Sequence, residues 1–587
     1  MIYNIPKYNR EFFNSLWRLL KPYWTSEEKI YSGILLITIL FFNWIQVKIL
    51  VYFNYLVKAI YDALQAFNVH DIEVCMLKYI AILAIIVLTS AYGDYFSGLL
   101  TNRWRRWMTY RYVNNWLTDH TFYAMQVTHH TMDNPDQRIS EDLNDFPSLT
   151  LNLFTNLFSS VLTLIYFSIL LWQLSGPLIV PIGHLTFKIH GYMFWGTIIW
   201  SIVGTYLTFK IGRRLWGLNY DQQRFNANFR FGLIRIRESS EQVALYKGEP
   251  EEQNKLKKTF NFVFNNYLNI IRVQRNLSFF SNSYSYLSYL AGLVIGMPRY
   301  FAEHMAIGIL MQVSKAMDQV IGSWSFIISS FTTIASWQAV INRLTEFDHL
   351  MQASNEQLKA NPIKVTYTTN TKIDIKNLDL LLPDNTPLLN QFNMQIHPGE
   401  KILISGPFGS GKSTLLRAIS GLWPYGHGEI VLPDKNNIRF LPQKPYLPLG
   451  TLRDVLAYPK PASSFSDIDY LSVLQQTGLK GFIPELDVVR NWAAELSLGE
   501  QQNIAFARLF LQKPQWIFLD EATSALDEDT QEKMYKHLFT DLPTAAIVSV
   551  GHRSSLKPLH GQEIVLKKLN HHEPLILGSS EEGISAI

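Results

Sequence analysis

The sequence is short of cysteine and of charge. Cys75 is the only cysteine in 587 residues, so no disulfide can form within the chain. Flanked by Val74 and Met76, it reads as a small hydrophobe rather than a reactive thiol. Asp, Glu, Lys and Arg together make up 17% of the residues, against about 25% in ordinary soluble domains. The net charge of +4 is small for this length and speaks against a nucleic-acid binder, whose basic residues cluster on one face. A secretory signal is not expected. Residues 1–29 are polar and aromatic, with Lys7, Arg10, Arg18, Lys21 and Lys29, and the apolar run after them is too long for a signal core. Internal repeats and low-complexity tracts are also missing, which excludes solenoids and fibrous arrays.

Hydrophobic residues are abundant, at 48%, and mean hydropathy is +0.03. The chain is too long for one core, and this mixture suits a protein that is part membrane and part water-soluble. A bilayer crossing needs about 20 helical residues. Six stretches qualify, near 31–56, 77–100, 150–173, 190–211, 276–298 and 305–335. Arg103, Arg105, Arg106, Arg111 and Arg138 lie between the second and third stretches. Arg213, Arg214, Arg224, Arg230, Arg235 and Arg237 lie between the fourth and fifth. By the positive-inside rule those two long connections and both termini are cytoplasmic.

After Arg343 the character changes. Residues 346–370 are polar and read as a linker. From 371 onward short β-rich runs alternate with helical ones, the pattern of an α/β domain with a mostly parallel sheet. The expected division is a cytoplasmic segment 1–30, an all-α six-helix membrane domain 31–345, a linker 346–370 and an α/β P-loop domain 371–587.

The strongest chemical signal is the run Gly406, Pro407, Phe408, Gly409, Ser410, Gly411, Lys412, Ser413 and Thr414, directly after the apolar strand Ile402–Ile404. Glycines permit a tight turn whose N–H groups, with a helix N-terminus, face phosphates. Lys412 is placed to reach the β and γ phosphates of ATP, and the Ser413 hydroxyl to ligate Mg²⁺. About a hundred residues on, the apolar strand from Trp516 ends in Asp520 and Glu521. Asp520 suits a Mg²⁺ partner, and Glu521 can orient or deprotonate the attacking water.

Between these lies Leu496, Ser497, Leu498, Gly499, Glu500, Gln501 and Gln502. This run resembles the signature of ABC-transporter ATPases, and the resemblance makes the soluble part an ABC nucleotide-binding domain. It implies that Ser497, Gly499 and Glu500 face ATP held by another subunit, so the chain is expected to pair with a second copy of itself. It further implies that Gln443 is the Q-loop glutamine that senses Mg²⁺, that Ser524–Asp527 is the D-loop, and that His552 is the switch histidine at the γ-phosphate. Two departures stand out. Leu382 occupies the place where an aromatic ring usually stacks on adenine, and Asn503 stands where arginine is common.

The membrane half resembles exporter-type ABC half-transporters, specifically the peroxisomal fatty-acyl (subfamily D) transporters and bacterial SbmA/BacA-like proteins with a fused ATPase. The segments carrying this likeness are 133–142, 229–241, 246–249, Gly308–Gln312 and Trp337–Leu344. The likeness implies that 133–142 is a coupling region pressing on the nucleotide domain, and that the chain sits in a bacterial inner membrane.

Polar residues interrupt the spans: Asn43, Gln46, Lys48 and Asn54 in the first, Asn282, Tyr286 and Tyr289 in the fifth, and Gln312, Lys315, Asp318 and Gln319 in the sixth. Such groups are costly in lipid and face a bundle interior or a wet cavity. The expectation is an ATP-driven transporter of a hydrophilic or amphipathic solute, such as a peptide or a cobalamin-like compound, with direction open. Its competitors are a fatty-acyl, lipid or drug exporter and, from another class, an ATP-gated channel or sensor.

Overall fold

The computed structural model describes residues 10–128, 135–182, 185–303, 306–326, 330–359, 363–368, 372–568, 578–580 and 583–585. Asp133 and Asn134, which open the expected coupling region, lie outside the described residues, as do 360–362 and 369–370 of the linker and 305 and 327–329 of the sixth stretch. The chain forms two compact units. One comprises Met1–Asn115 and Asp133–His349; the other comprises Trp116–Met132 and Leu350–Ile587.

The first unit is built from long helices: α1 (Arg10–Trp24), α2 (Lys29–Gln65) and α3 (Val69–Leu117) come first. The short α4 (Thr121–Thr128) follows α3 but belongs to the second unit. Then come α5 (Leu143–Ser175), a hairpin β1 (Pro177–Ile182) and β2 (Leu185–His190), α6 (Tyr192–Gly212), α7 (Leu215–Glu238), α8 (Glu249–Glu303), α9 (Ile307–Trp324) and α10 (Phe331–Lys359). Among the described residues three helical runs, Lys29–Gln65, Val69–Val127 and Pro135–Ser175, are long and apolar enough to cross a membrane. Within the sixth expected stretch α9 ends at Trp324 and α10 begins at Phe331, and 327–329 between them lie outside the described residues.

Helices α2, α5 and α9 share a core that includes Phe167, Leu171, Val313, Ala316 and Val320. At one end α2 caps α9, whose first N–H groups have no partner within their own helix. Gln65 Oε1 accepts from the Ile307 N–H at 2.8 Å and Asp62 Oδ1 from the Gly308 N–H at 3.1 Å. Gly308 is needed there, since a Cβ would fall 2.4 Å from the Lys58 carbonyl. At the opposite end of α2, Glu28 binds Arg103 and Arg106 of α3, and Tyr23 of α1 stacks on Trp104 at 5.1 Å.

Segment 135–142, expected to press on the nucleotide domain, belongs in its described part to the first unit. Asp142 is buried and accepts from Arg138 at 2.7 Å and from Arg343 Nε of α10 at 3.0 Å. The Arg343 guanidinium is held above its ordinary value by its bond to Asp142.

The second unit has two main sheets, besides two short strand pairs, Gly450–Thr451 with Val489–Arg490 and Gly578–Ser580 with Gly583–Ser585. The first holds β6 (Lys401–Ser405), β8 (Ile438–Leu441), β9 (Trp516–Asp520), β10 (Ala546–Val550) and β11 (Gln562–Val565) in the order β11-β6-β10-β9-β8, all parallel. Its central strands are buried along their length, as parallel strands covered on both faces must be. The second sheet orders β3 (Ile363–Tyr367), β7 (Gly426–Leu432), β4 (Ile373–Leu381) and β5 (Pro387–Ile396) as β3-β7-β4-β5. Helices α11 (Lys412–Ile419), α12 (Leu452–Ala457), α13 (Asp467–Gln476), α14 (Leu498–Gln512) and α15 (Glu528–Asp541) complete the unit.

Candidate nucleotide site

The site gathers at one end of the parallel sheet, where β6, β9 and β10 deliver their C-terminal residues. Strand β6 leads into the glycine loop and then α11. Gly411 caps α11 at φ 89, in the left-handed region that glycine adopts without strain. Gly406 runs against β11, and a Cβ there would fall 2.2 Å from the Leu566 carbonyl. The loop thus directs the N–H groups at the start of α11 at one point, a cradle for anions.

Lys412 is buried, and its Nζ donates to the Gly406 and Pro407 carbonyls, both at 2.9 Å. Burial lowers its pKa, while Glu521 and Asp520 raise it. Ser410 Oγ is buried with no partner among the described residues. The Ser413 hydroxyl donates to Asp520 Oδ1 at 2.9 Å. A hydroxyl and a carboxylate side by side form the hard-oxygen donor set that suits Mg²⁺, so these residues fit the metal.

Glu521 has φ 48, a conformation that costs a non-glycine residue about 1–3 kcal/mol and clusters at functional sites. It is held from several sides. Its N–H donates to the Val550 carbonyl at 3.0 Å. Gln443 Nε2 donates to one carboxylate oxygen at 3.0 Å, and His552 Nε2 lies 3.2 Å from the other. Phe408 of the loop stacks on the His552 ring, centroids 4.4 Å apart. Residues 78 and 31 positions from Glu521 in the chain therefore meet on one carboxylate.

Ser497 caps α14, whose N-terminal N–H groups are otherwise unsatisfied. Its hydroxyl accepts from the Glu500 N–H, and the Glu500 carboxylate accepts from the Ser497 N–H at 2.9 Å. Gly499 lies against the Ala525 carbonyl, 3.3 Å from where a Cβ would stand. Gln502 donates to the Gln443 carbonyl and to Ser524 Oγ, and accepts from the Ala525 N–H. Asp527 caps α15 by accepting from the Thr530 N–H at 2.8 Å. Among the described residues, no hydrogen bond joins Ser497, Gly499 or Glu500 to the loop 406–414; Ser497 and Glu500 bond each other, and Gly499 lies against the D-loop.

Leu382 sits in the β4–β5 turn, where its N–H donates to the Thr386 carbonyl, and its half-buried side chain packs on the core of the second sheet. Asn503 Oδ1 is buried with no partner among the described residues.

Two features escape sequence reasoning. Arg553 donates to the Ser524 and Leu526 carbonyls at 2.8 and 2.7 Å, tying the switch to the D-loop; its place beside His552 was its only signal. Helix α4 is the other. Ala124 and Met125 are buried, and Val127 packs on the second-sheet core. Burial pushes the Tyr123 phenol up while Arg417, in the last turn of α11, pulls it down. α4 therefore lies near the far end of the helix that starts at the phosphate cradle.

Two family models match the chain, one described as ABC transporter transmembrane region 2 over residues 17–301 and one as ABC transporter over residues 389–524. An uncharacterized ABC transporter ATP-binding protein of Haemophilus influenzae is 36% identical, covering 87% of this chain and 85% of its own length. The inner membrane ABC transporter ATP-binding protein YddA of Escherichia coli is 33% identical, over 91% and 94%. The human lysosomal cobalamin transporter ABCD4 is 25% identical, over 96% and 95%.

Proposed function

This chain belongs to the ABC transporter family, joining a membrane region to an ATP-hydrolysing domain, and we propose that two copies form a pump for a hydrophilic or amphipathic solute. The observation that carries the reading is the Glu521 carboxylate, gripped by Gln443 and His552 beside the Ser413–Asp520 pair.

In this reading the amides of residues 406–414 hold the phosphates of ATP. Lys412 exchanges its two loop carbonyls for β and γ oxygens. Ser413, Asp520 and Gln443 would hold Mg²⁺, which would neutralise phosphate charge. Glu521 orients a water in line with the γ-phosphorus and accepts its proton, and His552 steadies the γ-phosphate. Ser497, Gly499 and Glu500, which make no hydrogen bond to the loop of their own chain among the described residues, complete the site of the partner copy. A Cβ at Gly499 would press on Ala525, so signature and D-loop would approach that partner as one surface. Adenine is held without a ring from position 382.

The membrane region is read as six spans with both termini in the cytoplasm of a bacterial cell and the body in its inner membrane, as the name of YddA says of that relative. Exposed Asn282, Tyr286 and Tyr289 on α8 support a wet interior, whereas the Asn54 amide donating to the Gln312 carbonyl is buried packing between α2 and α9. The printed name of ABCD4 favours a cobalamin-like cargo.

Glu521→Gln tests the site. General-base loss should lower ATP turnover by at least about 10²-fold while MgATP binding persists; undiminished turnover refutes the role given to Glu521. ATPase stimulation in nanodiscs by a neutral peptide, cobalamin or an acyl-CoA tests the cargo, and a response to acyl-CoA alone refutes the hydrophilic reading.

A further inference from the structure

The phosphate cradle is made by the backbone of 406–414, so its chemistry does not dictate the side chain at position 408. That side chain is a phenyl ring, and Phe408 is 80% exposed. Holding so much apolar surface in water is unfavourable, and the turn of the loop does not require it. Among the described residues its one ring partner is His552, with centroids 4.4 Å apart and planes 26° from parallel.

The backbone on both sides of His552 is fixed. A Cβ at Gly551 would fall 2.4 Å from Leu556 Cδ1, and Arg553 donates to the Ser524 and Leu526 carbonyls. The imidazole is freer. Its one polar contact among the described residues runs from Nε2 to Glu521 Oε1, at 3.2 Å. It must give up that contact to reach a phosphate, and from then on the Phe408 face alone defines its plane. Phe408 belongs to the loop that holds the phosphates, and Lys412 Nζ lies 6.0 Å from its ring centre. The stack therefore ties the imidazole to the frame in which the γ-phosphate sits.

We propose that Phe408 is a positioning residue, whose ring holds the His552 imidazole in the plane along which Nε2 passes from Glu521 to the γ-phosphate. The proposal rests on the ATPase reading of the site and adds a side chain that acts through His552. Stacked rings resist tilting more than sliding, because tilting separates the contacting faces. Without the phenyl ring the imidazole samples other rotamers, and hydrolysis slows for want of a correctly placed group. Nucleotide binding, made by backbone amides and Lys412, is kept.

ATP hydrolysis by the full-length protein in nanodiscs tests this, followed as release of radiolabelled phosphate so that slow variants stay measurable. Phe408→Ala should lower kcat about five- to tenfold and leave KM for MgATP within about twofold. Phe408→Tyr should keep the parent kcat. Phe408→Leu, which retains apolar bulk without a flat face, should behave like Phe408→Ala. In a His552→Ala background, Phe408→Ala should lower the rate no further. Equal rates for the Tyr and Leu variants, a rise in kcat on truncation, or a loss confined to KM would each overturn the proposal. So would full additivity with His552→Ala, which would set the ring against another surface such as the partner copy, or an undiminished rate in His552→Ala alone. Glu521→Gln, run alongside, keeps the two readings apart. Normal hydrolysis in that variant sinks the reading of the site, whereas an inactive Glu521→Gln beside a fully active Phe408→Ala sinks only the role of Phe408.

Discussion

The two units hold their polar groups in different ways. Around the nucleotide site one side chain serves several neighbours: the Gln502 amide joins the Q-loop, Ser524 and Ala525, and Glu521 is fixed through its backbone and both carboxylate oxygens. Between α2 and α9, Asn54 makes one bond, while Asn54 Oδ1, Gln312 Nε2 and Ser314 Oγ are buried without a partner among the described residues. A hydrolytic site must hold its groups where the phosphates will arrive, since small displacements cost rate. The α2–α9 seam, buried and only partly bonded, keeps polar groups in a packing contact at a cost to stability.

The Asp142 cluster is where this contrast is most easily broken, because it is a fully engaged charged site inside the membrane-side unit. Removing a buried carboxylate shared by two arginines should cost about 3–5 kcal/mol, so Asp142→Ala should lower the melting temperature in detergent more than any single change between α2 and α9. An unchanged melting curve would mean the cluster does not hold the unit together. A smaller effect is expected at Gly308, where backbone meets backbone. Gly308→Ala should destabilise by about 1–3 kcal/mol. Gly322→Ala on the same helix, with no atom within 4 Å of its Cβ, should be neutral or gain up to about 1 kcal/mol in helix propensity. If both behave alike, the α2–α9 contact is looser than the Gly308 geometry requires.

The smallest effect belongs to the second unit and depends on pH. His560 is held between the Leu556 carbonyl and Ser549 Oγ, both at 2.8 Å, and burial lowers its pKa from the ordinary 6.5. The folded state therefore favours neutral imidazole. Its contribution is complete above the unfolded value and declines as pH falls below it. His560→Asn should flatten the loss of melting temperature between about pH 7 and pH 5; an unaltered slope would assign acid sensitivity to other groups.

Sequence alone revealed much of the motor, because phosphate chemistry dictates residue types at fixed spacings: 406–414, 497–502, 520–521 and 552 are each recognisable before any fold is known. It could not reveal that Glu521 adopts a positive φ, since that conformation is imposed by the Val550 contact and not by neighbours in sequence. Hydropathy over whole windows marks α5 as apolar and passes over Asn152, Asn156, Ser159, Thr163 and Tyr166, which share one side of the helix. The β1–β2 hairpin also gave no signal, as its apolar run continues that of the preceding helix. The packing of 116–128 within the ATPase unit has no local sequence mark at all. It follows from where Ala124, Met125 and Val127 find a core.

That last feature has a mechanical meaning. Helix α3 has 49 residues, a rod of about 74 Å, and its final turn crosses from one unit into the other at Trp116. Asp119 and His120, both at positive φ, make an abrupt corner before α4, whose Tyr123 neighbours Arg417 on the helix that begins at Lys412. Within the second unit, any tilt of that helix on gaining or losing a phosphate is therefore felt first by α4, through the neighbourhood of Arg417 and Tyr123.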